Sequence, residues 1–221
     1  MIKPYYESES GLGKLYHGDC LEIMKEIENK SIDLVLTDPP YNVNRKYDGK
    51  YNDNKDDYKF WCKEWFNLLF KFQSPMIFSI GLKNLNMWYE IKPPDWIYCW
   101  FKNNNMGKGN TFSNISIWEP FLIYGKTKRI GTDGIYLPII PQKDTGGHDC
   151  PKPLKLFIRL INDLTNKMNL IFDPFIGSGT TAVACEHLNR RWIGIEISQT
   201  YCDIAAERIK RETAQLKLEM A

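Results

Sequence analysis

Seven short apolar runs, separated by helical or polar stretches, constrain this chain more than any other feature. They cover residues 14–18, 32–37, 76–80, 96–101, 120–124, 170–173 and 192–197. Several are almost continuously apolar, as strands buried on both faces are. Between them, apolar residues recur at three- and four-residue intervals over 21–27, 58–72 and 154–164, and 180–188 and 200–218 also read as helices. In the last, Tyr201, Ile204, Ala205, Arg208 and Ile209 share one face ahead of a charged, solvated end. Alternating strand and helix predicts an α/β fold, a seven-stranded sheet with helices on both faces. At about 100–200 residues per domain, 221 residues make a single domain, 1–221.

Composition narrows the class. Hydrophobic residues at 43% and charged residues at 25% are ordinary for a globular chain and exclude disorder or a fibrous repeat. No apolar run approaches the roughly 18 residues of a membrane helix, and MIKPYYESES lacks the apolar stretch of a signal peptide. No membrane partner is therefore expected. The six cysteines are scattered with no CxxC pair, which fits reduced thiols in the cytoplasm better than disulfides or zinc. His17 and His187 have no partners at metal-ligand spacing, so no metal is expected. A formal charge of +2 permits a nucleic-acid partner without arguing for one.

Three stretches read as loops: 42–57, polar and of mixed charge; 103–110, rich in asparagine; and 126–147, which ends in Gly146-Gly147. In the first, Tyr47, Tyr51 and Tyr58 interleave with Arg45, Lys46, Lys50, Lys55 and Lys59, a pattern that could grip a displaced strand. Asp48, Asp53, Asp56 and Asp57 dilute it, so a solvated loop is an equal reading.

Chemistry concentrates in two strings. Thr37-Asp38-Pro39-Pro40-Tyr41 follows an apolar run directly, at the strand end where open α/β sheets hold their ligands. Two consecutive prolines fix φ and remove two backbone donors, so their carbonyls can only accept. A carboxylate, prolyl carbonyls and an aromatic ring then form a rigid corner lined with acceptors. A planar amine conjugated to a ring suits it: its N–H groups point at Asp38 and the Pro39 carbonyl while Tyr41 stacks on the ring. Such an amine is a poor nucleophile because its lone pair is delocalised. Two acceptors drawing its hydrogens out of plane localise that pair and free it to attack an electrophile.

The second string, Phe172-Asp173-Pro174-Phe175-Ile176-Gly177-Ser178-Gly179-Thr180-Thr181-Ala182, joins a strand to a helix. Residues 177–182 fit G-x-G-x-x-A, and Glu196 ends the next strand about 20 residues on, where a ribose-binding acid belongs. Alone, the match fits a dinucleotide site, an adenosyl-cofactor site or a tight turn. Only one strand follows it, whereas a dinucleotide fold needs a second half. Asp173 could also receive an ammonium group, which a nicotinamide dinucleotide lacks.

With both strings in hand, the sequence resembles the S-adenosylmethionine-dependent DNA amino-methyltransferases (adenine-N6 or cytosine-N4). The match is to the permuted β group, in which DPPY precedes the glycine loop. The resemblance spans nearly the whole chain and implies a Rossmann-like sheet of seven strands. His17-Gly18-Asp19-Cys20 is similar to the family's G-D-x segment, which implies that Asp19 and the Cys20 backbone hold the cofactor adenine. By the same resemblance Asp173 contacts the methionine amine, Pro174, Phe175, Gly177, Ser178, Gly179 and Thr180 line the cofactor, and Glu196 with Ile197 serves its ribose end. His148-Asp-Cys-Pro-Lys152-Pro153 resembles the family's H-P-x-x-K-P segment with Asp149 in place of proline, making Lys152 a cofactor-site residue. Trp118-Glu119 and the run after it resemble a later strand of structural role.

The resemblance implies methyl transfer from S-adenosylmethionine to the N6 amine of adenine in double-stranded DNA, with Asp38, Pro39, Pro40 and Tyr41 as the catalytic set. The target base is flipped out of the duplex and no covalent intermediate forms. Cytosine-N4 is the nearest rival, although that reaction more often carries Ser-Pro-Pro-Tyr. RNA adenine methylation and a non-catalytic cofactor-binding subunit are further alternatives. Glutamine-N5 methylation fits less well, since that family usually has Asn where Asp38 stands. Residues 127–147 form only a short insertion where this group carries its target-recognition region. Members often pair, so a homodimer is compatible with the resemblance.

Overall fold

All seven apolar runs form strands, and they lie side by side in one sheet. The computed structural model describes residues 2–44, 46–47, 51–102, 116–128, 131–139 and 152–219. In chain order the elements are β1 (Tyr6–Glu7), β2 (Gly13–His17), α1 (Cys20–Glu26), β3 (Leu34–Thr37), β4 (Lys46–Tyr47), β5 (Tyr51–Asn52) and α2 (Tyr58–Leu69). There follow β6 (Met76–Ser79), α3 (Leu85–Ile91), β7 (Trp96–Phe101), β8 (Trp118–Tyr124), β9 (Gly134–Tyr136) and α4 (Leu154–Leu164). The last are β10 (Leu170–Asp173), α5 (Thr180–Leu188), β11 (Arg191–Glu196) and α6 (Gln199–Glu219).

The sheet order is β1-β2-β11-β10-β3-β6-β8-β7-β9. It has nine strands among the described residues, not the seven expected. The two additions are short edges: β1 pairs antiparallel to β2, and β9 pairs parallel to β7. A two-stranded ribbon, β4 with β5, stands apart within the stretch expected to be loop. Strands β2, β11, β10, β3 and β6 run parallel, while β8 is antiparallel to both neighbours.

Side-chain alternation explains why both faces are covered. Leu34 and Leu36 of β3 join a core beneath α4, α5 and α6, while Val35 joins a second core that holds Trp65, Phe66, Phe78 and Trp88 beneath α1, α2 and α3. Helix α4 buries Leu156, Phe157, Leu160, Ile161 and Leu164, one stripe at helical spacing. Helix α5 is buried from Thr180 through Glu186 and packs against both α4 and α6, which accounts for its small residues. No helix among the described residues is long and apolar enough to cross a membrane.

This topology creates a crevice. From β10 the chain moves through α5 to β11, and from β3 it moves through α2 to β6, on the opposite side. Neighbouring strands whose connections leave in opposite directions open a cleft at their carboxyl ends, the usual ligand position in such sheets.

Candidate active site at the carboxyl edge of the sheet

Each parallel strand delivers a polar residue to the same edge. Asp19 follows β2, Asp38 follows β3, and Ser79, Asp173 and Glu196 end β6, β10 and β11. The DPPY string and the glycine loop, far apart in the chain, therefore become neighbours.

Asp38 is fixed from three directions. Its Oδ1 accepts the Tyr41 hydroxyl at 2.6 Å and the Ser79 hydroxyl, and its Oδ2 accepts Lys152 Nζ at 2.8 Å. The Pro-Pro corner is braced behind it, where the Tyr58 hydroxyl donates to the Pro40 carbonyl at 2.7 Å and Asn84 Nδ2 to the Tyr41 carbonyl at 2.7 Å. Tyr58 is buried, so of the three tyrosines considered for gripping a strand it supports the corner instead. The side chains of Tyr47 and Tyr51 lie outside the described residues, as do Arg45 and Lys50.

Glu119, expected to be structural, is part of this site. Strand β8 runs antiparallel to β6, with Phe121 opposite Ser79, so Glu119 projects past the carboxyl end of β6. Its Oε1 lies 2.7 Å from the Tyr41 hydroxyl and 2.8 Å from Lys152 Nζ, and its Oε2 lies 2.7 Å from Lys102 Nζ. Burial pushes the Glu119 carboxyl up, but the Lys152 and Lys102 ammoniums outweigh it and hold it below the ordinary carboxylate range. Burial pulls the Lys152 ammonium down, yet Asp38 and Glu119 outweigh that and keep it above the ordinary lysine value. Burial, reinforced by the two carboxylates, holds the Tyr41 phenol well above its usual value, so it remains a donor. An acid inside an apolar strand was the available signal, because buried carboxylates need partners.

Lys152, expected to be a cofactor-site residue, lies against Asp38, immediately before Pro153 at the start of α4. His148 falls outside the described residues.

The glycine loop turns through left-handed backbone at Gly177 (φ +52°) and Gly179 (φ +83°). Its shape is held from outside: Ile176 N–H donates to the Ile195 carbonyl at 3.0 Å, and Arg208 Nη1 reaches Thr180 Oγ1 at 3.0 Å and the Ser178 carbonyl at 3.2 Å. Phe175 packs edge-on to Trp65, with ring centroids 5.4 Å apart, and at a tilt to Trp61, 5.5 Å away. The Asp173 carboxylate accepts the hydroxyls of Thr37 and Thr181 and the Phe175 N–H, and is only 3% exposed. It is thus directed into its own loop. Burial raises its carboxyl to about 6.

Glu196 Oε2 accepts the Gly177 N–H at 2.9 Å and Oε1 the Ser198 N–H at 2.8 Å, while burial raises its carboxyl to about 7. The next residue, Ile197, is exposed, and its carbonyl lies 3.1 Å from His17 Nε2. Asp19 caps α1 through Leu21 N–H at 2.8 Å and remains exposed beside the buried Cys20. Gly18 N–H meets the Glu196 carbonyl at 2.9 Å, which places Asp19 and Glu196 on adjacent strand ends.

Comparisons with known proteins identify the family and agree with the fold. A DNA methylase family model, the N6/N4 methyltransferases, matches residues 32–144 and 136–207. The chain is 28% identical over 239 aligned positions to the type II methyltransferase M.HpaI of Haemophilus parainfluenzae, covering 90% of this chain and 74% of the relative. It is also 28% identical over 264 positions to M.BamHI of Bacillus amyloliquefaciens, covering 98% of this chain and 61% of that longer protein. Among solved structures, the cytosine-N4-specific PvuII DNA methyltransferase superposes with a TM-score of 0.75 at 20% identity, over 96% of this chain and 94% of that one. The M1.HpyAVI–SAM complex superposes with a TM-score of 0.69 at 24% identity, over 89% and 98%.

Proposed function

Since this chain belongs to the DNA methylase family of adenine-N6 and cytosine-N4 methyltransferases, we propose that it methylates the N6 amine of adenine in double-stranded DNA, using S-adenosylmethionine. The observation that carries this reading is the fixed Asp38 carboxylate, set at the end of β3 beside the glycine loop at the end of β10.

The residues at the loop suit such a cofactor. Two left-handed glycines keep side chains away from a close-approaching ligand. Asp19 and Glu196, on adjacent strand ends, supply acceptors for ring-amine and ribose hydroxyl donors, and Phe175 with Ser178 and Thr180 forms the wall. Asp173 acts through the loop it ties together and through its negative field, which favours a cationic group nearby. S-adenosylmethionine supplies an electrophilic methyl group on a cationic sulfur.

The remaining work falls to the corner. Asp38 and the Pro39 carbonyl accept the two N–H groups of the target amine and localise its lone pair. Tyr41, its hydroxyl pinned between two carboxylates, offers a fixed aromatic wall to the base. That base must leave the duplex to arrive there, at a cost of about a few kcal/mol. Adenine is favoured over cytosine by the Asp in DPPY. Cytosine-N4 is the second reading, because the corner would accept any planar exocyclic amine.

Asp38→Ala tests the assignment. Methyl transfer to unmethylated duplex DNA should be abolished while cofactor affinity is kept. A fully active variant would overturn it.

A further inference from the structure

Lys152 has three N–H donors, and the corner uses all of them. They meet Asp38 Oδ2 at 2.8 Å, Glu119 Oε1 at 2.8 Å and the Tyr41 hydroxyl at 3.1 Å. No donor is left for a cofactor. The Tyr41 oxygen accepts from Lys152, so its single proton goes to Asp38 or to Glu119, which lie 2.6 Å and 2.7 Å away. Glu119 in turn gives its second oxygen to Lys102 at 2.7 Å. Lys102, Glu119, Lys152 and Asp38 thus form a line of alternating charge, drawn from the end of β7, from β8, from the approach to α4 and from the end of β3.

Its inner members are nearly enclosed, with Glu119 8% and Lys152 9% exposed. Enclosed charges persist only where each is paired, and removing one leaves its neighbour uncompensated. The line also decides how Asp38 meets its substrate. A carboxylate has about four lone-pair sites. Ser79 donates to one on Oδ1, the Tyr41 hydroxyl covers the other, and Lys152 takes one on Oδ2, leaving one direction open.

We propose that Glu119 and Lys152 are positioning residues for methyl transfer: Glu119 seats the Lys152 ammonium against Asp38, and Lys152 fixes the direction in which Asp38 receives the target amine. The inference rests on the function proposed above.

Glu119→Gln, Lys152→Met and the double variant test it, with kcat on duplex DNA and cofactor Kd measured for each. Each single change should lower kcat on the order of 10²-fold, the cost of a misplaced reacting group. Cofactor Kd should stay within about twofold, which also reports that the chain has folded. The double variant should be no worse than the poorer single, because both act through one contact. Native kcat in Glu119→Gln would overturn the proposal, as would losses that multiply or a matching loss of cofactor affinity. Should Glu119→Gln fail to fold, Lys102→Met unpairs the same carboxylate from the more exposed end, and native kcat there would count equally against the proposal. A wild-type chain that methylates no nucleic acid would instead undo the function itself.

Discussion

The Thr37 hydroxyl donates to the carboxylate of Asp173, 136 residues further along the chain. This bond ties the residue before Asp38 to the acid that organises the glycine loop, directly across the crevice between β3 and β10. The two halves of the site are set relative to each other by a buried side-chain contact as well as by the sheet. Thr37→Val keeps the shape and removes the donor. Asp173 then stays buried with one partner fewer, which should cost about 1–3 kcal/mol of stability. Urea denaturation should show that loss together with weaker cofactor binding. Unchanged values for both would mean the contact does not hold the site together.

The two raised carboxyls give a pH signature. Asp173 at about 6 and Glu196 at about 7 hold protons in the folded chain where the unfolded chain has already lost them. Their contribution to stability is full below the ordinary carboxylate range and is lost as pH rises through about 6 and then 7. Between pH 5 and 8 the cofactor-free wild type should therefore lose more stability than Glu196→Gln, by on the order of 1–3 kcal/mol. Parallel stability curves for the two proteins would contradict the assignment.

Gly179 combines a φ of +83° with close quarters: an added Cβ would lie 3.2 Å from the Ala205 Cβ on α6. Gly179→Ala should cost about 1–3 kcal/mol through backbone strain and weaken cofactor binding. Gly131, whose Cβ would meet nothing within 4 Å among the described residues, is the control. Gly131→Ala should change stability by less than about 0.5 kcal/mol. Thermal melts with a cofactor titration distinguish the two, and equal effects would count against a role for the loop geometry.

The central sheet could be read because its strands are almost continuously apolar and bounded by turn residues. The edges could not. Strand β1 has two residues and β9 three, too few for a period, and β9 lies inside a stretch whose composition reads as loop. Helix α3 was missed for a similar reason: it has seven residues and buries only Trp88. In the site, Asp38 and the glycine loop stood out as local strings. Ser79 did not, because it owes its place to strand register and carries no motif; Thr37 was legible only as the head of the DPPY string and Glu119 only as part of a strand, since their contacts depend on register. Lys152 was marked by a motif, but its position beside Asp38 depends on where α4 begins against the sheet.

The most direct measurement is a labelled-methyl transfer from S-adenosylmethionine to unmethylated duplex DNA, followed by digestion and mass spectrometry of the nucleosides. The account predicts label in N6-methyladenine, and none when Asp38 is replaced by Ala. Label in N4-methylcytosine would contradict the choice of base, and no label in DNA despite measurable cofactor binding would contradict the proposed substrate.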